Sequence, residues 1–147
     1  MGLRLGRRGA LALLAVLLAA LSARAADPAG NPDAEKAAGG AAEAWLAIVD
    51  AGQYGESWDA GAALFKSALT REQWIQALDR VRKPLGKPLS RKLRGATYRT
   101  QVTGAPPGEY VVLQYDTQFE NLKGATETIT PMREKSGAWR VSGYYIR

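Results

Sequence analysis

Two carboxylates and two phenols are the residues best equipped for chemistry. Asp116 and Glu127 fall in neighbouring runs of alternating character, and Tyr98 and Tyr110 lie on the same or the adjoining runs. A buried acid beside a tyrosine hydroxyl could move a proton to or from a carbonyl compound. The ordinary alternative is cross-strand pairing on a wet face. Asp116, flanked in period two by Gln114 and Gln118, fits that alternative. The chain has no histidine and no cysteine. It therefore has no imidazole base, no Ser-His or Cys-His nucleophile, and no imidazole or thiolate ligand for zinc or iron. No catalytic residue, metal site or cofactor is assigned from the sequence, and a non-enzymatic role is favoured.

The aromatic residues offer binding rather than catalysis. Trp45, Trp58, Trp74, Trp139 and Tyr145 are candidates to line a pocket for a small apolar ligand, although large aromatics at helical spacing usually build the core. Charge offers a second possibility. Residues 26–79 hold nine acids and three bases, whereas residues 80–99 hold eight bases and no acid. Arg80, Arg82, Lys83, Lys87, Arg91, Lys92 and Arg94 could contact an anionic partner such as a phospholipid surface, a lipopolysaccharide or an acidic protein. The same cations could complement a helix dipole, guard a sheet edge, or be neutralised by the acidic helical half. Nucleic acid is not an expected partner, because the run carries one aromatic, Tyr98, where stacking needs several.

These residues need elements to hold them. Arg4, Arg7 and Arg8 precede the apolar run "ALALLAVLLAAL" and the small-x-small Ala23-Arg24-Ala25, which reads as a cleavable signal peptide of the general secretory type over residues 1–25. Cleavage is expected between Ala25 and Ala26, with export to the periplasm or beyond and no transmembrane segment left afterwards. Without cysteine the exported domain must be held by its own core. Residues 26–40, rich in Pro, Gly and Ala, read as a flexible lead-in, with a possible helix start near Asp33.

Residues 41–147 read as one α+β domain. Ala41, Trp45, Ile48 and Val49 share a helical face, as do Trp58, Ala62, Phe65 and Leu69. Thr70 with Gln73 forms a capping box before Trp74, Leu78 and Val81, and Lys83-Pro84 ends that helix. From Leu89 the period becomes two. Turns at Gly104–Gly108, Glu120–Gly124 and Lys135–Gly137 join four runs into an antiparallel meander. In the closing run Trp139, Val141, Gly143 and Tyr145 should share one face, leaving Tyr144 on the other. The expected architecture is three N-terminal helices packed on one face of a curved four-stranded antiparallel sheet.

Three stretches carry a family likeness: "AAEAWLAIVDAGQYGESWDAGAALFKSALTREQWIQALDRVRKPLG", "GEYVVLQYDTQFEN" and "WRVSGYYIR". In these the chain resembles the bacterial domain of unknown function 4019 family. The resemblance implies no established activity and no catalytic residues. Its general shape is similar to the cystatin-like cone of the nuclear transport factor 2 superfamily. That superfamily holds small-molecule enzymes using an Asp-His pair or an Asp with Tyr, beside many plain binding modules. The residues and the resemblance together point to an exported, non-catalytic binding or accessory domain that engages a partner protein or a small apolar ligand. The alternatives are a cone-type enzyme using Asp116 or Glu127 with Tyr98 or Tyr110, and attachment to an anionic surface through the basic run.

Overall fold

The structure, a computed structural model, describes residues 29–147. The expected signal peptide, the expected cleavage site and the first residues of the lead-in lie outside the described residues. Helix α1 spans Pro32–Asp50 and begins earlier than the sequence suggests. Asn31 rather than Asp33 caps it, its side-chain oxygen accepting from the Ala34 N–H. Residues 32–40, read above as lead-in, are thus helical. Packing of Ala34, Ala38 and Ala42 into the core overrides the low helix propensity of Gly39 and Gly40, as tertiary context commonly does.

The expected second helix is two short ones, α2 (Tyr54–Asp59) and α3 (Ala63–Ala68), so four α-helices replace the three expected. The break has a long-range cause. Ala62 is extended, and its N–H donates to the Val141 carbonyl on the sheet edge at 2.8 Å. Gly61 assists, since a Cβ there would lie 2.6 Å from the Phe65 ring. Helix α4 (Arg71–Val81) has the expected Thr70–Gln73 capping box, with both reciprocal hydrogen bonds formed. It runs into a 3-10 turn, Lys83–Leu85, and then Gly86 at φ +74° turns the chain towards the sheet.

Strands β1 (Pro88–Arg99), β2 (Tyr110–Phe119), β3 (Leu122–Arg133) and β4 (Trp139–Ile146) form one antiparallel sheet in that order. Register shifts in β1, β3 and β4 curve it. The helices pack on one face, giving the two-layer α+β architecture expected. Val111, Leu113, Tyr115 and Phe119 are buried as the alternation predicts, and Thr117 shares their face. Among the described residues no helix is long and apolar enough to cross a membrane.

The closing strand departs from simple alternation. Pro131 pairs with Val141 and Thr130 with Gly143, which leaves Ser142 unopposed as a bulge. A proline inside a sheet supplies no N–H to the ladder, and a bulge in the facing strand accommodates it. Beyond the bulge the phase reverses. Val141 is buried, Tyr144 turns inward to the helices, and Tyr145, expected to face them, is 57 % exposed. The Tyr144 ring meets Trp45 edge-on at 5.2 Å, and Trp74 lies between Trp45 and Phe65. Such aromatic pairs contribute about 0.5–1.5 kcal/mol each beyond the area they bury.

Candidate functional site

Beneath the aromatic cluster a chain of charged groups crosses the interior. Glu127 on β3 is completely buried. Its carboxylate accepts two hydrogen bonds from Arg91 of β1, at 2.7 and 3.3 Å, and one from the Thr117 hydroxyl of β2 at 2.6 Å. The Tyr144 hydroxyl of β4 donates to its other oxygen. Arg91 also grips Asp50, the last residue of α1, in a second fork at 2.7 and 3.0 Å. Arg82, just past α4, closes the row by donating to Asp50 at 3.1 Å and to the Gly86 carbonyl at 2.6 Å. Two guanidiniums and two carboxylates therefore alternate, and the row touches all four strands and the ends of two helices.

The electrostatics follow from this geometry. Burial, and then the facing Glu127 carboxylate, raise the Tyr144 pKa far above the ordinary tyrosine value, so its proton stays. Burial works against the charge of Arg91, but the hydrogen bonds to Asp50 and Glu127 outweigh it and raise its pKa further. Arg82 stacks on the Phe119 ring at 4.6 Å, and its Nε has no hydrogen-bond partner among the described residues. An acid and a phenol thus do converge, but the phenol is Tyr144 rather than Tyr98 or Tyr110. Tyr98 donates instead to Glu109, and Tyr110 to the Pro106 carbonyl. Asp116 lies half-exposed on the opposite face, bound to Arg94. Glu127 lines none of the open grooves found among the described residues.

The other sequence candidates separate into inner and outer sets. Trp45 and Trp74 are buried, both tied through their indole N–H groups to Ser57, and Trp58 donates to the Leu69 carbonyl. Trp74 and Tyr145 border a groove of about 350 Å³ between α4 and β4, together with Leu78, Val81, Tyr144 and Ile146. Trp139 is partly exposed beside α1. Of the basic run, Arg82 and Arg91 are held by Asp50 and Glu127, Arg94 by Asp116 and Lys83 by Asp79. Arg80, Lys87 and Lys92 are exposed. Sequence reasoning missed Asp50, Thr117 and Tyr144. For Asp50 the available signal was an acid ending an amphipathic stripe, opposite an excess of cations. Among the described residues no group of acidic side chains is arranged to hold a metal ion.

A family model described as "Protein of unknown function (DUF4019)" matches residues 41–144. No curated protein and no solved structure matches the chain.

Proposed function

The chain belongs to this family of unknown function, and because the family's description assigns no activity, we propose a function from the site itself. The protein is an exported, periplasmic accessory domain that binds without catalysing. Its docking surface for a small apolar ligand, or for apolar side chains of a partner protein, is the groove between α4 and β4. The observation that carries this reading is the exposure of Val81 (55 %) and Tyr145 (57 %) on the elements that form the groove. Adjacent large apolar groups left in water mark interaction surfaces more often than chance. Export rests on the N-terminal segment, with its cationic start, short apolar run and small-x-small ending.

The sealed state of Glu127 supports binding over catalysis. Every donor that reaches its carboxylate comes from the chain itself, and Tyr144, which borders the α4–β4 groove, uses its hydroxyl on Glu127. Attachment through the basic run has less support, since four of its seven cations already face acids of the same chain. The test is to express the full chain with a photo-crosslinking benzoylphenylalanine at position 81, fractionate the cells and irradiate. The expected result is a periplasmic protein that forms an adduct from position 81 and carries a ligand or partner in native mass spectra. A bare monomer with no adduct would reject the docking reading, and retention in the cytoplasm would reject export.

A further inference from the structure

Trp139 differs from the other three tryptophans. Their indole N–H groups are all bonded to oxygens within the helical layer, whereas that of Trp139 donates to no group among the described residues. Trp139 also borders two open grooves along α1, one of about 400 Å³ near its first turns and one of about 310 Å³ further along. In the first, Ala34 and Ala37 present only methyl groups, and Asn31, Asp33, Glu109 and Arg133 supply polar groups.

Three of these polar groups, Asn31, Glu109 and Arg133, are held in place before any ligand arrives. Glu109 is fixed from both sides, by the Tyr98 hydroxyl at 3.2 Å and by Arg133 at 3.3 Å. The Asn31 side-chain oxygen is occupied by the Ala34 N–H, which leaves its amide N–H groups as donors. The groove therefore offers donors on Asn31 and Arg133 and acceptors on Asp33 and Glu109, beside one aromatic ring, Trp139. An apolar ligand would leave this set unmatched, an anion would meet two carboxylates, and a simple cation would meet Arg133. A ring bearing hydroxyls, each both donor and acceptor, with an apolar C–H face for the indole, matches all of it.

We propose that the cleft beside Trp139 binds a neutral saccharide, one pyranose ring stacking on the indole while its hydroxyls bond to Asn31, Asp33, Glu109 and Arg133. The site lies at the opposite end of β4 from the α4–β4 groove, roughly 20 Å away at strand spacing, and stands independently of the function proposed there.

The experiment is an NMR titration of the ¹⁵N-labelled mature chain, following the four indole N–H resonances. The probes are maltotriose, mannotriose and tri-N-acetylchitotriose at up to about 10 mM, enough to detect a roughly millimolar Kd. At least one should shift the Trp139 resonance and leave the three internal ones in place. Because Trp139 also packs on the core, the principal variant is Ala37→Phe on the exposed side of α1, which fills the cleft without touching the interior. It should weaken binding at least about tenfold while the three internal indole resonances stay unmoved. Asp33→Asn with Glu109→Gln should act in the same direction. The proposal is overturned if no trisaccharide moves Trp139, if the shift survives Ala37→Phe, or if tetramethylammonium moves Trp139 and the sugars do not.

Discussion

Glu127→Gln isolates the charge at the centre of the interior row. The amide keeps the volume and an acceptor oxygen for Thr117 and Tyr144, but it no longer answers the guanidinium of Arg91. Breaking a buried ion pair by removing one partner costs about 3–5 kcal/mol. Arg91 retains Asp50, and its side chain is 17 % exposed, which places the expected loss near the lower end, at about 3 kcal/mol. For a domain of this size that corresponds to a fall in Tm of roughly 10–15 °C. Urea and thermal unfolding followed by far-ultraviolet circular dichroism would measure it. Arg91→Met alone should cost at least as much, because it strands Glu127 with no cation. The two together should be milder than their sum, since Asp50 still has Arg82 and the remaining charges balance. A coupling of about 2 kcal/mol is expected from such contacting residues. A loss below about 1 kcal/mol for Glu127→Gln, or strict additivity in the double variant, would refute the view that this row is a charge-matched structural clasp.

Tyr144→Phe should cost about 1–2 kcal/mol through the lost hydrogen bond to Glu127, and should also alter the alkaline response. Folding holds the Tyr144 proton above the ordinary value of 10.0. Its contribution is therefore complete below pH 10 and is lost as pH rises, by up to about 1.4 kcal/mol per unit. Urea midpoints on either side of pH 10 should show that slope in the parent and a shallower one in the variant. Tyr54, Tyr98 and Tyr115, also raised by burial, leave the variant some loss of stability with rising pH. Gly86→Ala should cost about 2 kcal/mol or more, because φ +74° with ψ −158° is almost confined to glycine and the new Cβ would lie 2.5 Å from Glu120. Gly124→Ala, at similar φ with open space around it, is the milder control in the same denaturant assay. Thr70→Ala should cost about 1 kcal/mol by opening the capping box, visible as a lower urea midpoint.

What the sequence revealed was local. The alternation of Val111, Leu113 and Tyr115, the Thr70–Gln73 box and the three turns are signals within a few residues, and each appears in the fold, the second turn shortened to Glu120–Asn121 because β3 begins at Leu122. What stayed hidden depends on register. Trp58, Ala62, Phe65 and Leu69 fit one helical stripe, and only the distant Val141 carbonyl breaks it. Tyr144 and Tyr145 exchange faces because Ser142 bulges opposite Pro131; the proline was visible, but its partner strand was not. Glu127 and Arg91 both stand out in the sequence. Their pairing spans 36 positions and that of Arg91 with Asp50 spans 41, and neither distance carries a local pattern. Trp139 and Trp74, candidates for the same reason, lie in different environments, and helical spacing identified only the buried one.

The hydrogen bond from Ala62 to Val141 bears on how this protein behaves when crowded. A subunit polymerises edge to edge only if it can recruit at both sides of its sheet. Here a strand arriving beside β4 must first displace a helix-linker amide already seated on Val141. The β1 side carries two irregularities and the exposed cation Lys92, while Arg94 is held by Asp116. One side is occupied and the other repels its own kind, so growth into filaments lacks a second end to proceed from. The interruption between two short helices thus serves as a chain terminator for assembly.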